Sequence, residues 1–157
     1  MGNVKRLRVY ADTSVFGGCF DSEFEKASVE FFREVRDGRF VLIVSDLTVQ
    51  ELADAPDKVR ELLYGISTDQ AERVAVTDEC RTLQRAYLEA GVVGRSSAAD
   101  ALHIAIATVM EVDIVVSWNF KHIVHFAKIA GFEGVNTLNN YRSPRIHSPK
   151  EVIALEE

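Results

Sequence analysis

Apolar and polar positions along the chain fall into blocks that switch between a strand-like and a helix-like period. Leu7-Arg8-Val9-Tyr10-Ala11 predicts a short strand, ended by Asp12 and a Gly17-Gly18 loop. Over residues 22–37, Ala27, Phe31 and Val35 recur at four-residue steps before Asp37-Gly38, which predicts an amphipathic helix. Phe40 to Val44 is a continuous apolar run between turn signals, as expected of a strand buried on both faces. Helices are expected over 46–55, stopped by Pro56, and over 57–65. Val74 to Val76 reads as a short strand, followed by a helix over 78–90 that Gly91 closes. Residues 98–112 are apolar on nearly all sides (Ala98, Leu102, Ile104, Ala105, Ile106, Val109), which places that helix in the middle of the fold. A second buried strand over 114–117 and a helix over 120–130 complete the pattern.

Strands that alternate with helices imply an α/β fold: a three-layer α/β/α sandwich around a mainly parallel sheet. No repeat, low-complexity tract or Pro/Ser-rich linker divides the 157 residues, so one domain over 1–157 is expected. Sites in such folds lie at the carboxyl ends of the strands.

Composition narrows the class. No apolar stretch nears the ~20 residues that cross a bilayer, and Met1-Gly2-Asn3-Val4-Lys5-Arg6 leads into no apolar run of a signal peptide. A cytoplasmic protein with no membrane partner is expected. Cys19 and Cys80 belong to no CxxC or Cys/His cluster and read as reduced, partly buried thiols. The net charge of −6 opposes generic nucleic-acid binding. Its distribution is uneven: residues 119–150 carry five basic side chains (Lys121, Lys128, Arg142, Arg145, Lys150) against Glu133 alone. A basic flank beside an acidic centre suits a nuclease, and chance clustering explains it equally.

The acidic residues carry the candidate chemistry. Asp12 directly follows the first strand, where an Asp turn or a helix N-cap is the plain alternative. Ser14 either caps a short helix or hydrogen-bonds the Asp12 carboxylate. Glu51 lies on the helix after the second long strand, opposite Val49, Leu52 and Ala53, and read singly it belongs to a solvated face. Asp100 opens the most apolar helix. Ser97-x-x-Asp100 matches a capping box, yet a largely buried carboxylate without a basic neighbour on its helix calls for a partner such as a cation. His103, one turn on, reads as a satisfied core histidine. Asn119 follows Ile114–Ser117, with a loop Asn bonded to local backbone as its alternative. Asp113 precedes that strand and is excluded, because it falls at the opposite edge of the sheet. Phe31-Phe32 and Trp118 read as core or rim packing. A parallel sheet brings Asp12, Glu51, Asp100 and Asn119 to one edge. Clustered carboxylates repel unless a divalent cation neutralises them, and an oxygen-only set favours Mg²⁺ or Mn²⁺.

The sequence resembles a PIN domain, specifically the toxin-type proteins called VapC-like. The resemblance rests on Val9-Tyr10-Ala11-Asp12-Thr13-Ser14-Val15, on Ser45 through Glu51-Leu52, on Ala99-Asp100-Ala101-Leu102-His103-Ile104-Ala105, and on Val116-Ser117-Trp118-Asn119-Phe120. These segments occur in order through almost the whole chain. The resemblance implies a Mg²⁺- or Mn²⁺-dependent endoribonuclease with Asp12, Glu51 and Asp100 as its first three acids. The fourth, usually an Asp, falls on Asn119, and Ser117 matches a frequent Thr or Ser. It further implies an RNA substrate, a protein antitoxin and a homodimer. Metal held by Asp12 and Asp100, with Glu51 directly or through water, would activate water for in-line attack on a phosphodiester. Lys121 and Arg95 are the candidate phosphate contacts. Because Asn119 adds no charge, a catalytically reduced PIN domain acting as an RNA- or protein-binding module is the main alternative. An aspartyl phosphatase is disfavoured, since that chemistry generally wants a second Asp where Ser14 stands. A purely structural role for the acids, as caps and surface, is the third reading.

Overall fold

The structure is a computed structural model that describes residues 6–155. Its centre is a five-stranded, wholly parallel sheet in the order β3-β2-β1-β4-β5. The strands are β1 (Leu7–Ala11), β2 (Phe40–Ser45), β3 (Ala71–Val74), β4 (Ile114–Val116) and β5 (Arg145–His147). The helices are α1 (Thr13–Gly18), α2 (Glu25–Arg36), α3 (Asp46–Ala53), α4 (Asp57–Tyr64), α5 (Asp78–Glu89), α6 (Ala98–Val109), α7 (Phe126–Leu138) and α8 (Pro149–Ile153). None among the described residues is long and apolar enough to cross a membrane.

The pleat sorts the side chains into two cores. Tyr10 pairs in register with Ile43 and Val115, and all three join the core built with α5, α6 and α7. Their neighbours Val9, Leu42 and Ile114 point the other way, into a core that holds Phe31, Phe32 and Val35 of α2 and Val152 of α8. Both faces of β1, β2 and β4 are therefore covered, which is why β2 and β4 read as apolar runs. Helix α6, with Leu102 to Thr108 almost wholly buried, is the central helix its composition predicts.

Four local expectations need correction. The segment after Asp12 is not a loop through Gly17-Gly18 but helix α1, and Gly18 lets it approach Trp118 closely. The third strand lies at Ala71–Val74 rather than 74–76; it is an edge strand whose Glu72 and Arg73 face solvent and pair with Arg8 and Asp46. The helix expected at 120–130 begins only after His125, because the segment behind Asn119 is held in a turn. It then runs through Gly131, where an added Cβ would lie 2.8 Å from Val92 Cγ1, so that glycine marks close packing and not a helix end. Finally, β5 and α8 were not expected at all.

Strand order fixes where a site can form. From β1 the chain proceeds through β2 and β3 to one side, and β4 and β5 lie on the other. The carboxyl ends of β1 and β4 therefore flank the point where the winding reverses, the usual crevice in doubly wound sheets.

Candidate functional site

Asp12 stands in that crevice. Its backbone N–H donates to Val116 O of the adjacent strand at 3.2 Å, and its side chain is 4% exposed. It occupies the N-cap position of α1, yet its carboxylate caps nothing. Both oxygens are instead held by serine hydroxyls: Ser14 Oγ donates to Oδ1 at 2.5 Å and Ser117 Oγ to Oδ2 at 2.7 Å. Each serine is tied down in turn. Trp118 N–H donates to Ser14 Oγ at 3.0 Å, and Asn119 N–H to Ser117 Oγ at 2.9 Å. Burial raises the Asp12 carboxyl above its usual range, opposed by His103 and the two serines and reinforced by the charge of Asp100.

Asp100 is half-buried in the first turn of α6. The expected capping box does not form, since the Ser97 side chain makes no cap hydrogen bond. Its carboxyl is also raised, first by desolvation, with His122, His103 and the Asn119 amide pulling the other way and Glu51 adding repulsion. Asp12 thus feels the charge of Asp100. Neither forms an ion pair with a Lys or Arg among the described residues.

Glu51 behaves differently. Its Oε1 accepts from Thr13 Oγ1 at 2.5 Å and lies 2.7 Å from His103 Nε2. Desolvation raises its carboxyl, but the bonds to His103 and Thr13 outweigh this and hold it below the usual glutamate range. Its side chain is 33% exposed, so the solvated-face reading gives way to a half-buried, bonded carboxylate.

Asn119 accepts the N–H groups of Lys121 and His122 on its Oδ1, at 3.2 and 2.9 Å, which is the local backbone bonding of a loop Asn. Lys121 is exposed beside it. Arg95 lies in a 3₁₀ turn before α6, and its side chain lines a shallow groove with Arg85, Leu88 and Glu89 of α5. Asp113 sits at the far edge of the sheet and accepts Arg8 N–H at 2.8 Å.

Sequence reasoning left out Tyr10, Thr13 and, as a chemically relevant group, His103. His103 is 3% exposed, with both ring nitrogens engaged: Tyr10 OH lies 2.6 Å from Nδ1 and Glu51 Oε1 2.7 Å from Nε2. It is indeed a satisfied core histidine, but one of its partners is a site carboxylate. The legible signal was its i+3 spacing from Asp100, which puts both on one face of α6.

Among the described residues no three His, Cys, Asp or Glu side chains are arranged as a preformed metal cage. The donor chemistry still suits one cation type. Two desolvated carboxylates, neither paired with Lys or Arg, could supply the few carboxylates by which Mg²⁺ is typically held, its remaining positions going to water and phosphate.

The parallel α/β/α sandwich, with Asp12 at the β1/β4 switch point, is PIN-like in fold. No family model matches the sequence, and no curated protein does. Solved structures do. One is a chain of VapBC2 from Rickettsia felis bound to a DNA fragment from their promoter: TM-score 0.56 and 12% identity, covering 90% of this chain and 98% of that one. Another is a chain of DNA-bound VapBC from Salmonella typhimurium, with TM-score 0.52 and 18% identity over 91% and 98% of the two chains. At these identities the likeness is one of fold.

Proposed function

We propose that this chain is a VapC-like, Mg²⁺- or Mn²⁺-dependent endoribonuclease, the toxin of a toxin–antitoxin pair. The observation that carries the reading is Asp12, buried at the winding switch point with both carboxylate oxygens fixed by Ser14 and Ser117 and within reach of the charge of Asp100. A buried, ionisable, unpaired carboxylate costs stability unless a cation uses it. Asp12 and Asp100 would hold the metal, with Glu51 contributing directly or through water.

A divalent cation there supplies Lewis acidity and charge neutralisation for phosphodiester hydrolysis. The chain's own groups do the positioning. Ser14 and Ser117 lock the Asp12 rotamer, and Thr13 and His103 lock that of Glu51. Lys121 offers a cation to the RNA backbone beside Asn119, and Arg95, in the groove along α5, is the second candidate phosphate contact. A protein antitoxin, a homodimer and a cytoplasmic setting belong to the same reading; the neighbours' VapBC complexes support the first.

One observation favours the second reading, a catalytically reduced binding module. The Asn119 oxygen is already bonded to two backbone N–H groups and adds no charge to the site. One experiment separates the two: Mn²⁺ titration calorimetry of wild type and Asp100→Asn, paired with cleavage of total RNA. Metal binding and metal-dependent cleavage, both lost in the variant, establish the nuclease. Binding without cleavage establishes the reduced module, and no binding sinks the metal site.

A further inference from the structure

Beneath Glu51 a file of hydrogen bonds runs from the interior of the sheet to the mouth of the site. Thr48 N–H donates to Ser45 Oγ at 3.2 Å, Ser45 Oγ lies 2.8 Å from Tyr10 OH, Tyr10 OH lies 2.6 Å from His103 Nδ1, and His103 Nε2 lies 2.7 Å from Glu51 Oε1. Four elements contribute: α3, β2, β1 and α6. Ser45, Thr48 and Tyr10 are wholly buried. None of these groups is needed to fill the core, since an apolar side chain of the same size would pack without a polar atom to satisfy.

We infer that His103 is a positioning residue of the proposed ribonuclease, bridging Tyr10 and Glu51 with Nε2 carrying the hydrogen that holds the Glu51 carboxylate in place. The polarity follows from the carboxylate end of the file. With Nε2–H given to the Glu51 carboxylate, the neutral imidazole offers Nδ1 as an acceptor for the Tyr10 hydrogen; Tyr10 then accepts the Ser45 hydrogen, and Ser45 Oγ takes the Thr48 N–H. At the far end an ionised carboxylate only accepts, which suits Nε2–H and Thr13 O–H alike. Thr13 alone fixes one bond to Oε1; His103 adds the second, and with it a preferred rotamer for a side chain on the exposed rim of α3. Such outer partners, which orient a carboxylate through an imidazole locked by a further bond, are typically worth tenfold to a hundredfold in activity.

The inference rests on the nuclease reading for its catalytic part and on the hydrogen bonds alone for its tautomer. Two measurements keep these apart. Long-range ¹H–¹⁵N correlation on the metal-free protein at pH 7, with His103 assigned through His103→Gln, should show Nδ1 as an acceptor and Nε2 protonated, and Tyr10→Phe should shift the Nδ1 signal. A hydrogen on Nδ1 overturns the inference. Steady-state cleavage of an RNA oligonucleotide with Mn²⁺ should show kcat reduced about tenfold to a hundredfold in His103→Leu at nearly unchanged KM. His103→Gln, which keeps a donor near the Nε2 position, should recover at least part of that loss at similar thermal stability. A folded His103→Leu protein with wild-type kcat also overturns the inference. Wild-type protein that cleaves no RNA while the tautomer stands overturns the nuclease reading and the catalytic role with it, and leaves the hydrogen-bond file established.

Discussion

Ser117 Oγ donates to Asp12 Oδ2 across 2.7 Å, joining residues 105 positions apart at the carboxyl ends of two adjacent strands. The same oxygen accepts Asn119 N–H, so one hydroxyl fixes both the carboxylate and the turn that follows β4. In Ser117→Ala the Asp12 carboxylate loses one of two donors inside a buried site. Metal-dependent cleavage should fall about tenfold, and stability by about 1 kcal/mol. Initial-rate assays and urea unfolding check this. Full activity in the alanine variant would mean that Ser14 alone orients Asp12.

Much of the fold was legible because its core strands are buried on both faces. Phe40–Val44 and Ile114–Val116 can hardly be anything but central strands, and α6 announces itself by its apolar circumference. What escaped notice was short or edge-like. β5 has only three residues, too few for a period to emerge. Helix α8 did carry a signal, since Ser148-Pro149-x-Glu151 is a capping box with Pro at the first helical turn, and the box forms. At the site, the strand-end position of Asp12 was readable from the order of the elements, whereas Glu51 was singled out only by the family resemblance. The Tyr10–His103–Glu51 contacts were not readable. They join β1, α6 and α3, and no local pattern encodes which histidine meets which acid.

The two glycines of α1 should respond oppositely to alanine. A Cβ on Gly18 would lie 2.5 Å from Ser28 Oγ and 2.7 Å from Trp118 Nε1, breaking the 2.8 Å bond between them. Gly18→Ala is therefore expected to cost about 1–3 kcal/mol through overpacking. Gly17 has nothing within 4 Å of such a Cβ, so Gly17→Ala should gain roughly 0.5–1 kcal/mol by restricting the unfolded chain. Urea denaturation of both variants tests the pair, and equal effects of either sign would refute the packing argument.

Cys19 and Cys80 should both be unreactive in the native protein. They are 5% and 0% exposed, and burial pushes the Cys19 thiol up to about 11 despite Arg36 nearby. Titration with an aromatic disulfide reagent at neutral pH is expected to show slow modification of native protein and two thiols in denaturant. Prompt reaction of Cys19 before unfolding would show that the end of α1 opens locally.

The three acids should contribute to stability with opposite signs. Asp12 and Asp100 have folded values above their unfolded ones, so ionising them disfavours the fold. Their penalty begins as pH rises past the unfolded value of about 3.9 and is complete once the folded value is passed. Glu51 is lowered by His103 and Thr13 against its own desolvation. Its contribution is favourable above the unfolded value of about 4.3 and is lost as pH falls through the folded one. In metal-free protein at pH 7, Asp100→Asn should therefore melt higher than wild type, by about 2 °C after allowing for solvent screening at a half-exposed group. Glu51→Gln should melt lower. Both differences should shrink at pH 3.5. Saturating Mn²⁺ should raise the melting temperature of wild type and leave Asp100→Asn unmoved, because a cation binds only where paired charge rewards it. Calorimetric scans in chelator and in Mn²⁺ decide this. An Asp100→Asn protein that melts below wild type at pH 7 without metal would show that this carboxylate stabilises the fold, and would remove the main physical reason for placing a cation beside it.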